Sequence, residues 1–437
     1  MQKLHPKPII TTLLLVALLL VGCTTVNANS ESDHDQAALP NAPRGDVAPI
    51  AVVPALTATA IPTLTPLPTP TETATEVPTL APTITREPTT TPRPQPTEPV
   101  ITAAEERAVS TQATATAIAE VAAQYADIGT LPARVVMTMP HEYQRLNNCA
   151  PTTTSMVMRF YGLSVVQADM AALQKPVRED VNVTAEEVAL SIRELGLEAY
   201  VGHSDDVDTV VRLLAAGFPI ISEEWIDHDG GMGHFRAIKG YDRDRQQILY
   251  NDSFYGADLW RSYDNFLRAW APYNNKFVLP YRAEQEPLVR ALLGDQWEES
   301  GDYARLLETT TAQVERNPSD VYALWGQGEA LVRVGEPEQA IVAFESAIGT
   351  GSLPRRYLWY RYGYFEALNQ VGHYDDLLAV SRTPLDQMKR SEDIRYHRAV
   401  AFLALGRTDE AITSLELALQ DNPRFIPAQA MLAELGG

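Results

Sequence analysis

One thiol, one imidazole and one carboxylate in this chain sit in contexts suited to covalent acyl transfer. Cys149 lies in the run Gln144-Arg-Leu-Asn-Asn-Cys149-Ala-Pro-Thr-Thr-Thr-Ser-Met-Val-Met-Arg-Phe-Tyr161-Gly162, which reads as a turn delivering a thiol to the start of an amphipathic helix. There the positive end of the helix dipole and open backbone N–H groups favour thiolate over thiol. Gln144, five residues upstream, could aim its amide N–H at an oxyanion forming beside the sulfur. His234 opens an apolar strand and Asp252 ends the next one. Nucleophile, base and orienting carboxylate are what acyl transfer through a thiol requires. Taken alone, the Cys149 stretch fits a buried structural cysteine behind a capping loop equally well.

The elements that must position these groups are legible in the patterning. Met156, Val157, Phe160 and Tyr161 recur at helical spacing, which predicts a helix from Cys149 to about Tyr161. Asn147 and Asn148 are suited to capping it, Pro151 fits only a first turn, and Gly162 ends it. A turn centred on 243–245 joins the strands carrying His234 and Asp252. Antiparallel pairing then sets positions summing to about 488 opposite each other. His234 faces roughly residue 254, with Asp252 within about one rung. Around this hairpin the chain alternates: a strand at 135–137, a helix at 185–195 capped by Thr184 with Glu187, and a strand at 197–201. A helix at 207–216, a strand at 218–222 and an Asp229-to-Gly233 turn follow. The result is an α+β block over 130–282.

That block resembles the papain-like bacteriocin-processing (double-glycine leader) cysteine peptidase family, in its secreted, stand-alone branch. The residues that carry the resemblance are Tyr143-Gln144, Asn147-Asn148-Cys149-Ala150-Pro151 and Met156-Val-Met-Arg-Phe-Tyr-Gly162. Further on come Gly217-Phe-Pro-Ile-Ile221, Gly233-His234-Phe-Arg, Gly240-Tyr241-Asp242 and Asn251-Asp252-Ser253. The resemblance implies a papain-like cysteine peptidase fold, with Cys149 as nucleophile and His234 as general base and acid. It makes Asp252 the orienting carboxylate and Gln144 the oxyanion donor. Ala150 departs from the family, which usually has glycine there. Its methyl beside the nucleophile bears on substrate size more than on the chemistry.

The remaining polar candidates have plainer readings. His141, His203 and His228 read as surface or capping histidines. Asp227, His228 and Asp229 form an acidic trio without a second histidine at ligand spacing, so neither metal nor cofactor is called for. Glu223 and Glu224 either line a cleft or are solvated. Asp242 and Asp244 are turn residues.

Outside the block the chain changes character three times. Lys3, Lys7 and a short apolar run precede Leu20-Val21-Gly22-Cys23, which resembles the lipobox of bacterial lipoproteins and implies that Cys23 is acylated after cleavage. Residues 24–102 form a Thr/Pro-rich tract with no periodic apolar residues, which predicts an extended disordered stalk. An Ala-rich helix at 103–128 ends it. From 286 to 437 the pattern is helical with a period near 34: Gly294, Gly301 and Pro318 are echoed by Gly328 and Gly335, with Ala340, Phe344 and Ala347 behind them. Gly406, Ala411, Leu415, Ala418 and Pro423 restore it later. This resembles about four tetratricopeptide repeats with a terminal helix, an all-α solenoid whose stacked pairs bury each other's apolar faces. The formal charge of −21 argues against nucleic acid as a partner. Two cysteines are too few for a disulfide framework.

Together these features predict a lipid-anchored extracytoplasmic cysteine peptidase acting on a peptide or protein, with the repeats presenting substrate or a partner. Two alternatives remain: a catalytically idle peptidase-like domain whose repeats do the binding, which the intact set Gln144, Cys149, His234 and Asp252 disfavours, and a thiol acyltransferase or amidase that uses the same residues on the same fold.

Overall fold

The computed structural model describes residues 116–204, 206–226 and 231–436. The lipobox, the Thr/Pro tract, the first part of the 103–128 helix and the trio Asp227, His228 and Asp229 lie outside them. A helix over 116–123 (α1) leads in. Seven strands then make one antiparallel sheet among the described residues: β1 (Arg134–Val136), β2 (Glu198–His203), β3 (Ile220–Trp225), β4 (Gly233–Asp242), β5 (Gln247–Asp252), β6 (Gly256–Ser262) and β7 (Lys276–Tyr281). Their order is β2-β7-β3-β4-β5-β6. β1 pairs with the far end of β4, so β1 and β3 share one edge of that long central strand.

Helices clothe the sheet. α2 (Cys149–Phe160), α3 (Gln167–Gln174) and α4 (Ala185–Glu194) share one apolar cluster with Ile221, Phe235, Ala237 and Val278. α5 (Val207–Ala215) and α6 (Tyr263–Trp270) share another with Ile220, Ile238, Tyr250 and Phe277. Met156 and Val157 are fully buried, and such side chains contribute about 1.5–3 kcal/mol each on leaving water. That burial, rather than propensity, holds a helix whose first turns are Pro and Thr. The capping box expected for α4 is present: the Glu187 N–H donates to Thr184 Oγ1 at 3.2 Å and the Thr184 N–H to Glu187 Oε2 at 2.9 Å.

The hairpin carrying the polar candidates forms in the register its pattern predicts. Arg236 opposes Asp252 and Ile238 opposes Tyr250, and a bulge between Ile238 and Gly240 then shifts the pairing by one. Several elements have no counterpart in the sequence reading: α3, β6, α6 and β7. β7 runs Lys-Phe-Val-Leu-Pro-Tyr without alternation because it is buried between β2 and β3, and a strand covered on both faces loses its period-2 signal.

Beyond β7 the chain stays packed on the sheet domain. α7 (Glu286–Leu293) sinks Val289 and Leu293 into the core of the sheet domain, so that core extends past 282. The helical region then follows as α8 (Glu299–Arg316), α9 (Val321–Arg333), α10 (Pro337–Gly349), α11 (Gly363–Val371), α12 (Tyr374–Val380), α13 (Arg382–Met388), α14 (Glu392–Ala404), α15 (Thr408–Asp421) and α16 (Ile426–Gly436). Gly328 lies where α9 crosses α10. A Cβ there would meet the Phe344 ring at 2.7 Å, the small-residue crossing its spacing suggests.

This region packs onto the sheet domain. Trp225 and Tyr273 of the sheet domain are buried in the core of the helical region, and His203 Nδ1 meets Asp302 Oδ2 at 2.6 Å. An aromatic segment between α10 and α11 docks as well. The Tyr357 hydroxyl donates to the Pro272 carbonyl at 2.6 Å, and Asn182 Nδ2 donates to the Tyr362 hydroxyl at 2.7 Å.

Candidate active site

Cys149 opens α2 without the side-chain cap that Asn147 and Asn148 were expected to give. Asn147 takes a left-handed φ of 57°, and Asn148, at the cap position, makes no capping bond. Its Nδ2 donates instead to Gln167 Oε1 at 3.2 Å. Gln167 is the tie of this loop: Oε1 also accepts from the Arg145 N–H at 2.7 Å, and Nε2 donates to Glu142 Oε1 and to the Tyr143 carbonyl, both at 2.8 Å. Buried Lys175 holds the Asn147 carbonyl at 3.0 Å. With no side chain occupying the helix start, the Ala150 N–H is free to serve the sulfur, and the Phe235 N–H of β4 joins it.

The structure brings Cys149, His234 and Asp252 into one chain of hydrogen bonds. His234 Nε2 lies 3.0 Å from Asp252 Oδ1, leaving Nδ1 for the side-chain bond to the thiol. Burial of the sulfur opposes its ionisation. The bond and charge of His234, with the two backbone N–H groups, outweigh that and hold the thiol below its ordinary value. For His234, burial disfavours the cation, but the bonds and charges of Asp252 and Cys149 raise its pKa. Burial would likewise lift Asp252. The bond from His234, the charges of His234 and Arg236, and the Tyr255 N–H together hold its carboxyl far below the usual range. This arrangement favours a thiolate–imidazolium pair.

Gln144, the fourth residue singled out in the sequence, is tied to the residue after Asp252. Its Oε1 accepts from the Ser253 hydroxyl at 2.7 Å, and its backbone N–H donates to the Ser253 carbonyl at 2.8 Å. With the amide oxygen so occupied, its Nε2 protons are left for another acceptor. His141 Nε2 pairs with the Asp252 carbonyl oxygen at 2.8 Å, tying the loop before α2 to the end of β5. His203 is a domain-interface residue.

Beneath His234 and Asp252 runs a buried charge chain that sequence reasoning missed. Arg236 Nε donates to Asp252 Oδ2 at 2.7 Å and Nη1 to Glu224 Oε2 at 2.9 Å. Arg261 Nη1 reaches the same Glu224 oxygen at 2.5 Å, and Ser222 Oγ donates to Oε1 at 2.5 Å. Glu224 is therefore not a solvated carboxylate but fully buried. Glu223, next along β3, points to the opposite face by strand alternation and lines the cleft beside Cys149.

That cleft is small. Its cavity of about 20 Å³ is bounded by Cys149, Ala150, Asn182, Glu223, Gly233 and Tyr360, among others, and has room for little more than one water. Ala150 lines it, as its place beside Cys149 suggests. Tyr360 comes from the aromatic segment of the helical region and accepts a bond from the Gly233 N–H. A Cβ at position 233 would collide with the Tyr273 hydroxyl and lie 3.2 Å from the Tyr360 ring, so only glycine fits there.

Residues 136–278 match the model of the Peptidase_C39 like family. The match spans Cys149, His234 and Asp252 and ends before the helical region, so the chain comprises a C39-like domain followed by helices. Three solved structures are similar to about a third of this chain. A double glycine motif protease from an AMS/PCAT transporter, crystallised with the leader peptide, is 20% identical with a TM-score of 0.28, covering 34% of this chain and 95% of the other. A C39-like peptidase from Bacillus anthracis is 15% identical with a TM-score of 0.30, covering 34% and 98%. The peptidase domain of Streptococcus ComA, a bifunctional ABC transporter involved in quorum sensing, is 16% identical with a TM-score of 0.28, covering 33% and 98%. No curated protein matches the sequence.

Proposed function

We propose that this protein is a cysteine peptidase that cuts peptide bonds through Cys149, His234 and Asp252. The hydrogen-bond chain from the thiol through His234 to a strongly anionic Asp252 carries this reading. The Cys149 thiolate attacks the scissile carbonyl carbon, and the carbonyl electron pair moves onto oxygen. Gln144 Nε2 and the open N–H groups at the start of α2 stabilise that oxyanion. His234 gives its Nδ1 proton to the leaving amine as the C–N bond breaks, which leaves a thioester. His234 then takes a proton from water, the hydroxide displaces sulfur, and acid product and thiol are released. Asp252 keeps the imidazole in one orientation and steadies its cationic form.

Iodoacetamide labelling of the purified chain tests the first step. Because the Cys149 pKa is held below its ordinary value, the alkylation rate is expected to rise through its midpoint at a lower pH than that of a free thiol. A rate that climbs like a free thiol, with a midpoint near about pH 8.5, would remove the activated nucleophile from this account.

The same reading places the enzyme on the outer face of the cell membrane, held by a diacylglycerol-modified Cys23 and spaced from it by the Thr/Pro tract. In it the helices of 286–437 are tetratricopeptide repeats that bind substrate or a partner. Support for the anchor is the lipobox; support for the repeats is the crossing glycine Gly328 and the turn glycines Gly335 and Gly406, both with positive φ. Intact-mass analysis of protein extracted from membranes is expected to show a chain beginning at Cys23 and carrying the lipid. Cleavage elsewhere with a soluble product would remove the anchor.

A further inference from the structure

The helical region walls in a second, larger space next to Cys149. A cavity of about 500 Å³, within the roughly 300–1,000 Å³ of ordinary ligand pockets, lies between the C39-like domain and the helices. Glu186, Glu187, Glu223 and Lys276 line it from one side; Glu329, Arg333, Arg361 and Asp393 are among those lining it from the other. Glu223 and Tyr360 line both this cavity and the small one beside Cys149. The large cavity therefore abuts the nucleophile across a partition of two side chains.

The charges in it do not balance. Each lysine and arginine on its wall is already taken: Lys276 by Glu186 at 3.0 Å, Arg333 by Glu366 at 2.8 Å, Arg361 by Glu329, and Arg424 by Glu194. Glu223 is 7% exposed and has neither hydrogen bond nor ion pair among the described residues. Burial drives its carboxyl up to about 8, with Glu186 and Glu329 adding to the rise against the pull of Lys276 and Arg361. Asp393, also on the wall, makes no ion pair among the described residues. A buried carboxyl without a partner is costly, and what is missing here is a donor, most effectively a positive one.

We infer that this interdomain cavity receives the substrate peptide, and that Glu223 selects a cationic nitrogen within a residue or two of the bond presented to Cys149. The shared chemistry is a Lys or Arg side chain or a free peptide α-amine. A cation entering there would pair with Glu223 in a desolvated site, where charge-assisted hydrogen bonds are strongest. This inference rests on the peptidase reading for its mention of a scissile bond, but not for its binding event.

The test is therefore a binding measurement on the full chain with Cys149→Ala, which cannot turn over. Fluorescent peptides alike except at one position (Lys, Arg or norleucine), each with a free or acetylated N-terminus, are titrated by anisotropy. Lys or Arg peptides, or those with a free amine, are expected to bind about tenfold or more tightly than the neutral acetylated norleucine peptide, as a charged hydrogen bond implies. Which set gains identifies the source of the nitrogen. Adding Glu223→Gln should abolish the difference while leaving the weak affinity of the neutral peptide. Equal affinities for cationic and neutral peptides, or a preference that survives Glu223→Gln, overturn the inference. If Glu223→Gln does not fold, the Lys-against-norleucine comparison on Cys149→Ala decides alone. A preference found here beside a wild-type chain that cleaves none of these peptides would count against the peptidase reading and leave the cationic site standing.

Discussion

Gln144→Ala is expected to cut peptide turnover by about a hundredfold or more while leaving Cys149 alkylation close to wild type. Loss of one oxyanion donor has that size elsewhere, because the charge it meets exists only in the transition state. Resting thiolate, by contrast, is set by His234, Phe235 and Ala150, none of which Gln144 contacts in the hydrogen bonds it makes. Asp252→Asn separates the roles from the other side. It keeps the shape at the end of β5 but removes the charge that raises the His234 pKa. Alkylation at pH 6 should then fall together with turnover, the latter on the order of 10³-fold or more. Measuring both rates on both variants gives a two-by-two pattern. Normal turnover in Gln144→Ala would remove that residue from the oxyanion site, and unchanged alkylation in Asp252→Asn would uncouple the carboxylate from the thiolate.

The parts of this site that were readable in the chain are those governed by short-range rules. A short turn between two apolar runs determines register, which is why Arg236 opposes Asp252 on the expected sum and His234 comes within reach of it. The amphipathic run after Cys149 gives α2 to within a residue of its end. Arg236 was legible in principle: a guanidinium between Phe235 and Ala237 on an otherwise apolar strand must have buried partners. The caps were misread because Asn147 and Asn148 suit a helix start equally well in left-handed or hydrogen-bonded roles, and it is Gln167, twenty residues on, that decides. Tyr360 could not be found at all. It meets Gly233 through packing of two regions more than a hundred residues apart, and no local pattern records that contact.

The largest expected effect on stability comes from Arg236. Its guanidinium is 1% exposed and holds Asp252 and Glu224, themselves fully buried, while also donating to the Trp225 and Ile226 carbonyls at 3.1 and 2.9 Å. Arg236→Met fills most of the volume but leaves two buried carboxylates short of a cation. Arg261 still serves Glu224, whereas Asp252 retains only His234 and two backbone N–H groups. Breaking a buried pair in this way costs about 3–5 kcal/mol, to be read as a lower urea midpoint. The pH dependence follows from the sign of the Asp252 shift. Its folded pKa is depressed, so its contribution is present above the unfolded value near about 3.9 and is lost as pH falls through the folded one. Removing Arg236 raises the folded value, so the variant should begin to unfold at a higher pH than wild type in acid titration. A single variant as stable as wild type at pH 7 would mean that the Asp252–Arg236–Glu224 chain does not hold these strands together.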